Sequence, residues 1–388
     1  MIPFWRLSAY YFFYFAFIGA FAPYFTLYLQ SLSFAAADIA VLMSLMQVMR
    51  IVAPNLWGLI ADRAGRRVAI VRLSALASLI GFSGFFVTDS FGGIFVAMAL
   101  MSFFWSAALP LVEGLTFDHL GGSMGRYGKI RSWGSIGFIV AVMAIGYALD
   151  SVAERNLLWM TASILAGIGV CSLMMPEAAK PSAPSDGTAM LDILRRHEVQ
   201  ALLAACFLMS AAHGALYVFY SIHLVGAGYS TGFVGWMWTL GVIAEIAVFV
   251  AMPQLLKAFS LRTILAFSFA CAVLRFLMIG WGVESLLVLL LAQLMHGATF
   301  GAYHAAAIAA IHRWFPGRAQ SRGQALYGSL SFGAGGMLGG LVSGYLWDPL
   351  GAAWTYTVGS GFALAGLLLI LAGLAHSGRG FTEDGGRA

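Results

Sequence analysis

The sequence predicts an all-α membrane protein, with twelve transmembrane helices in two pseudo-symmetric six-helix bundles. Three observations carry that expectation. First, 61% of the 388 residues are hydrophobic and 10% are charged, against about 25% charged in a soluble domain. Lipid must be the solvent for most of this surface. Second, the apolar residues fall in runs of about 20, the length that crosses a bilayer as a helix. No run alternates with period two as a barrel strand would, and an open backbone finds no partner in lipid. Third, the basic residues sit almost entirely on one side of those runs.

Taken in order, the runs lie at approximately 7–29, 37–60, 68–88, 92–117, 130–149, 156–175, 199–222, 232–256, 263–283, 285–311, 323–346 and 353–374. The first follows "MIPFWRL", with one Arg and no small-residue cleavage site, and reads as a retained span rather than a signal peptide. Of 21 Lys and Arg, Arg50 and Arg275 lie deep within runs, and Arg72 and Arg131 lie just inside the starts of theirs, next to loops that follow even-numbered spans. Of the others, all but Arg155 fall at the termini or in loops that follow even-numbered spans. Both termini are therefore expected in the cytoplasm of a multi-pass protein of the inner (plasma) membrane. This asymmetry accounts for the net charge of +5 without nucleic acid as a partner.

The loop "PEAAKPSAPSDGTAMLDILRRHE" holds three prolines and reads as a flexible linker ending in a short amphipathic piece. The expected organisation is an N-terminal bundle over 1–175, a cytoplasmic linker over 176–198, a C-terminal bundle over 199–376 and a cytoplasmic tail over 377–388. A shift of 195 residues places Arg50 on Glu245, Arg67 on Arg262 and Gly128 on Gly323, so the halves read as parallel repeats enclosing a central site, a known transporter plan. Cys171, Cys206 and Cys271 lie in separate runs, with no spacing for a disulfide framework or a zinc site. No HExxH, nucleophile elbow or phosphate loop is present, so an enzyme is not expected. The Gly-rich "GSLSFGAGGMLGG" reads as close helix packing.

Ionisable residues inside a membrane mark function by default, because each is costly unless paired or wetted. Those residues are Arg50, Glu113, His213, Glu245, Arg275, His296 and His304, with Arg131 near a helix entrance. At about 1.5 Å per residue, Arg50 and Glu245 lie near the midplane. A carboxylate at Glu245 that takes up and releases a proton is expected, with Arg275 on the next span as its switchable partner. His213, Tyr217 and Tyr220 form one stripe in "HGALYVFY", expected to line a cavity, and His296 and His304 follow in "LMHGATFGAYH". Glu113 and Arg131, eighteen residues apart, form an acid and guanidinium pair able to hold hydroxyls or a carboxylate.

Between spans two and three, "GLIADRAGRR" runs from Gly58 to Arg67. Gly58 is expected to let two helices approach. Asp62, among Arg63, Arg66 and their neighbours, is expected to make a pair that breaks during gating, near Gly65. The stretch resembles the signature loop of the major facilitator superfamily, and twelve spans in two repeats fit that resemblance. The second-half counterpart, "PQLLKAFSLR", is degenerate.

A further resemblance is to the lactose permease group of proton symporters. It implies substrate-gripping roles for Glu113 and Arg131, with an aromatic, Phe138, seven residues later. It also implies a proton-coupling set that includes Arg275 and His296. The sequence departs from that group at Thr299, Gln293 and Val242, which shifts the proton role to Glu245 and the histidines. "YGKIRSWGS", "AHGALYVFYSIHLVGAGYS", "GWMWTLGVIAEIAVF" and "LMHGATFGAYHAAA" together resemble the family of the enterobacterial 3-phenylpropionate permease. That resemblance implies a proton-coupled importer of a small aromatic carboxylate, with Arg50 among the carboxylate clamps. Sugar or nucleoside symport, and drug or metabolite antiport against protons, are the alternatives. The expected partners are a small-molecule substrate, protons and the bilayer. The protein is expected to be a monomer without metal or cofactor, driven by the proton gradient.

Overall fold

The computed structural model of the chain describes residues 2–121, 124–178, 190–316 and 319–374, with the backbone alone described at 62, 124, 125 and 321. The helices of the first half are α1 (Phe4–Ser31), α2 (Ala36–Ala64), α3 (Arg67–Ser83), α4 (Phe91–Leu120), α5 (Met124–Leu149) and α6 (Leu157–Met174). A short α7 (Met190–Leu194) precedes α8 (His197–Ala212), α9 (Gly214–Gly226), α10 (Thr231–Ala258) and α11 (Leu261–Trp281). Two spans then contain π-helical turns. The tenth is α12 (Leu286–Leu294), a π segment (Gly297–Ala302) and α13 (Tyr303–Trp314). The eleventh is α14 (Ala319–Gly328), a second π segment (Ser329–Gly335) and the start of α15 (Gly336–Gly373). The linker residues 179–189 and the tail expected over 377–388 lie outside the described residues.

Eleven helices among the described residues are long and apolar enough to cross a membrane. The last of them, Arg322–Gly373, has 52 residues, far more than the roughly 20 that one crossing needs. It holds Pro349, and Gly351 stands at φ 78°, ψ 171°. A left-handed φ is open to glycine and costly elsewhere, so the chain turns there and the stretch is two spans. Twelve crossings result. The apolar runs of the sequence break at the same place.

Helix ends follow from local chemistry. The Ser90 hydroxyl accepts from the Gly93 N–H and caps α4, and Ser260 does the same for α11 through the Thr263 N–H. Gly65, at φ 64°, closes α2, and its N–H donates to the Ala61 carbonyl. Pro23, Pro54, Pro110 and Pro253 sit inside helices, as membrane helices tolerate.

The chain falls into two compact units. One comprises Met1–Pro184 with Tyr217–Thr239, the other Ser185–Leu216 with Leu240–Ala388. Segment Tyr217–Thr239, which the sequence reading placed in the C-terminal bundle, thus groups with the first six spans. In the first unit α1 packs on α5 and α6, α2 on α4, and α3 on both α4 and α6. In the second, α15 packs on α8 and α11, and the second π segment lies on α8. The Gly-rich stretch makes that last contact possible: a Cβ at Gly335 would meet the Ser210 Cβ at 3.1 Å and clash with the Phe207 carbonyl.

Candidate functional site

The charged side chains gather in two places, one per unit. In the first, Glu113 on α4 is half-buried, and the Tyr127 hydroxyl on α5 donates to its Oε1 at 3.5 Å. Tyr127 is held by stacking on Phe117, with ring centroids 4.6 Å apart. Arg131, one turn further along α5, places its guanidinium carbon 3.8 Å from the centre of the Phe15 ring and 6.0 Å from that of Tyr11. Among the described residues no ion pair within 4.0 Å joins Glu113 to Arg131. Acid and guanidinium share a neighbourhood, each satisfied by an aromatic neighbour. Arg50 on α2 is half-buried and donates to the Gln47 Oε1 at 3.3 Å, within its own helix. The Tyr14 hydroxyl lies in the field of Arg50, Glu113 and Arg131 together, and its ring stacks on Trp105 at 4.6 Å.

Phe138 lies two turns beyond Arg131, and its backbone carbonyl faces Gly19, where a Cβ would meet it at 2.5 Å. The aromatic face against Arg131 belongs to Phe15, which sequence reading did not single out. The expected stripe of His213, Tyr217 and Tyr220 is divided. The helix is interrupted at His213, and both tyrosine rings pack on Trp238, at 6.2 and 5.9 Å.

The second cluster surrounds Arg275 on α11, which is 0% exposed. Its Nε donates to the Ala292 carbonyl at 2.9 Å, one terminal nitrogen to the Thr299 hydroxyl at 3.0 Å and the other to the Gln293 Oε1 at 3.1 Å. His213 Nε2 lies 3.5 Å from the first of those terminal nitrogens. Three of these acceptors come from the tenth span at and before its π segment, where winding departs from the α register. Glu245 on α10 reaches His296, with Oε2 to Nε2 at 3.9 Å. The His213 and His296 rings are 6.5 Å apart. His304 belongs to a neighbouring group, with its Nδ1 2.8 Å from the Tyr327 hydroxyl. The structure thus brings Glu245, His296, Arg275 and His213 together and sets His304 apart. Thr299 and Gln293, noted in the sequence only as departures from a pattern, are direct partners of the arginine.

At the end of α2, Gly65 takes the left-handed cap, and Arg63 and Arg66 are exposed. The Asp62 side chain lies outside the described residues. The close approach expected at Gly58 is not made: a Cβ there would meet nothing within 4 Å, because that face of α2 is open. The contacts are made one residue beyond the expected set. Arg67 pairs with Asp118 at the end of α4. The backbone N–H groups of Arg67 and Val68 donate to Glu177 at 3.1 and 3.0 Å, a carboxylate at a helix N-terminus where the dipole favours it. Arg72 donates to the Ser172 and Leu173 carbonyls that end α6.

At the opposite end of the first unit, α5 meets the start of α10 in a seam. Asp150 Oδ1 accepts from the Thr231 hydroxyl at 2.7 Å and from the Gly232 N–H at 3.1 Å. The Tyr24 hydroxyl donates to the Val142 carbonyl at 2.6 Å, and Trp236 Nε1 to the Tyr147 hydroxyl at 2.7 Å. Gly235 admits the approach, since a Cβ there would meet the Val142 carbonyl at 2.8 Å. Burial pushes the Asp150 carboxyl upward, but hydrogen bonds from Thr231, Gly232 and Ser230 outweigh it and hold the group below the usual carboxylate range.

Comparison with known proteins agrees with the twelve-span fold. A probable 3-phenylpropionic acid transporter of Escherichia coli (strain K12) is 28% identical over 348 residues, 88% of this chain and 90% of that protein. The maltose permease of Geobacillus stearothermophilus is 28% identical over 368 residues, 93% of this chain and 92% of that one. The crystal structure of the nucleoside transporter NupG matches the fold with a TM-score of 0.84 at 17% identity, covering 96% of this chain and 99% of that one. The profile described as MFS_1 like family matches residues 4–358. The chain therefore belongs to the MFS_1-like family of the major facilitator superfamily, a transporter and not an enzyme.

Proposed function

We propose that the chain is a proton-coupled symporter that imports a small organic solute, best fitted by an aromatic carboxylate such as 3-phenylpropionate, through alternating access. In this reading it sits in the inner membrane with both termini in the cytoplasm, as the basic residues favour. The observation that carries it is the Glu245–His296 pair, 3.9 Å apart on two membrane helices beside the fully buried Arg275. A carboxylate and an imidazole in lipid surroundings are expensive to retain unless they move a proton or ion. Glu245 takes the proton, and His296 is the neighbour that adjusts its release. Arg50 and Arg131 supply cationic contacts for the solute carboxylate in the first unit, with Phe15 fixing the orientation of Arg131. The name of the Escherichia coli relative, a probable 3-phenylpropionic acid transporter, supports the substrate class.

The test is a Glu245→Gln variant in proteoliposomes. It is expected to exchange labelled 3-phenylpropionate across the membrane but not to accumulate it against a gradient when a pH difference is imposed. Undiminished accumulation would remove the proton role. A sugar or nucleoside substrate is the second reading. It is favoured by Tyr127 on Glu113, a pair suited to hydroxyls, and by a nucleoside permease of Escherichia coli (strain K12) at 20% identity over 342 residues. Competition of uptake by uridine or maltose rather than by benzoate would select it.

A further inference from the structure

Three rings stand in line along the tenth span. His296 and Phe300 have centroids 5.5 Å apart with planes 12° from parallel, and Phe300 and His304 are 5.9 Å apart at 14°. In a regular α-helix positions four apart drift by about 40° each step. Here the π segment Gly297–Ala302 widens the winding between them, and the rings stay in register. On one side of Phe300 lie His296 and Glu245, with Arg275 and His213 behind them. On the other side His304 is held by the Tyr327 hydroxyl. Phe332, carried by the second π segment, closes the flank, 6.1 Å from Phe300 and 5.7 Å from His304. His296 Nδ1 is buried and has no hydrogen-bond partner among the described residues. His304 lies eight residues, about 12 Å, further along the span, toward the end that carries His312 and Arg313.

We propose that Phe300 is an insulating ring that separates two proton stations of the second unit, Glu245 with His296 on one side and His304 with Tyr327 on the other. The inference rests on the proton-coupled reading and deepens it. A phenyl ring has no lone pair and no exchangeable hydrogen. A proton on the Glu245 side therefore has no chain of donors and acceptors through this position. Coupling needs such a break, because a continuous chain would let protons cross without solute and dissipate the gradient. Phe300 keeps the stations apart until the span itself rearranges, and the π segments are where it can do so.

Putting an imidazole at position 300 bridges the break. It accepts a proton from His296 on one ring nitrogen and passes another to His304 from the second, so each ring gains and loses one proton and no other reactant is needed. The experiment measures substrate-free proton entry into proteoliposomes holding a trapped pH dye, with the potential clamped by potassium and valinomycin. Wild type and Phe300→Leu, which keeps an apolar plug, are expected to match empty liposomes. Phe300→His is expected to admit protons at least about tenfold faster, and adding His304→Ala is expected to restore tightness. Phe300→Ser, which leaves room for water in the same slot, gives the same reading if the His variant does not purify as a single species. A separate arm adds 3-phenylpropionate to the wild type and records solute-evoked proton entry. If that arm is positive while both polar variants stay tight, or if the leak survives His304→Ala, the insulating role is wrong and proton coupling stands. If the wild-type arm is silent, the proposed function, proton-coupled import of 3-phenylpropionate, fails.

Discussion

The seam at Asp150 is the place where a single substitution should change the opening of one end of the first unit without touching any membrane-embedded charge. Replacing Asp150 with alanine removes the acceptor of the Thr231 hydroxyl and of the Gly232 N–H. It also takes a negative charge from the first turn of α10. A hydrogen bond to a charged group is worth about 1.5–3 kcal/mol. Exposure and screening pull that toward the lower figure, and Asp150 is exposed. The lost cap, about 1 kcal/mol on its own, is the same interaction seen from the helix and is not added. Thr231 keeps its second acceptor, the Gly146 carbonyl at 2.8 Å, and Ser230 still caps the Phe233 N–H at 3.1 Å. The expected loss is about 1.5 kcal/mol, roughly tenfold in the local opening equilibrium.

Hydrogen–deuterium exchange of the peptide over residues 231–238, in nanodiscs, reads that equilibrium directly. The Asp150→Ala peptide should exchange roughly tenfold faster, with peptides of α11 unchanged. Asp150→Asn, which keeps an oxygen but not the charge, should fall between. The pH dependence follows from the direction of the shift. The carboxyl is held below its usual range by bonds to its charged form, so the latch is at full strength above the usual carboxylate pKa. It is lost only as pH falls through the depressed value. After correction for intrinsic exchange, the wild-type seam should be flat between about pH 5 and 8. An unchanged rate in Asp150→Ala, or a wild-type seam that loosens between pH 8 and 6, would refute the assignment of Asp150 as its latch.

Two further outcomes are expected. Arg67→Gln should lower the thermal stability of the purified protein, because it leaves the Asp118 carboxylate without its partner at a cost of about 1–2 kcal/mol. The double variant with Asp118→Asn should recover part of the loss, and strictly additive losses would show that the two do not interact. Arg275→Lys should purify normally yet lower solute accumulation by roughly an order of magnitude or more. One ammonium cannot reproduce a planar fork that reaches Ala292, Thr299 and Gln293 at once, and wild-type accumulation in that variant would show the fork to be dispensable.

The architecture was legible in the sequence because lipid leaves the chain so few options. Apolar runs marked the helices, and the gap around Pro349 marked the turn that the backbone makes at Gly351. Arg275, His296 and Glu245 were legible for the same reason: ionisable residues are rare enough in the spans that each stands out. Their partners were not. Gln293, Thr299 and the Ala292 carbonyl are neutral acceptors of kinds found throughout the chain, and only tertiary packing singles them out. The ring over which Arg131 sits could not be picked from 30 phenylalanines, and it came from α1 instead of α5. Nothing in the sequence singles out Asp150, since its partners lie more than 80 positions away. The π segments left no trace in apolar periodicity, because inserting one residue into a run that is hydrophobic all round changes no pattern.

His213 shows how the second cluster holds itself together. Its Nδ1 lies 2.8 Å from the Met209 carbonyl, an oxygen that can only accept, so that nitrogen carries the hydrogen. Its Nε2 faces the Arg275 guanidinium at 3.5 Å, a group that can only donate, so that nitrogen must offer its lone pair. The two contacts together fix one neutral tautomer, and a second proton would aim an N–H at other N–H groups. In this arrangement His213 therefore supports Arg275, as Thr299 and Gln293 do. His296 differs, with a carboxylate facing one nitrogen and, among the described residues, no hydrogen-bond partner at the other. The division of labour between the two histidines follows from what faces each ring nitrogen. Under the proton-coupled reading proposed above, it leaves Glu245 and His296 as the pair that carries the proton, with Arg275 held on its neutral acceptors beside them.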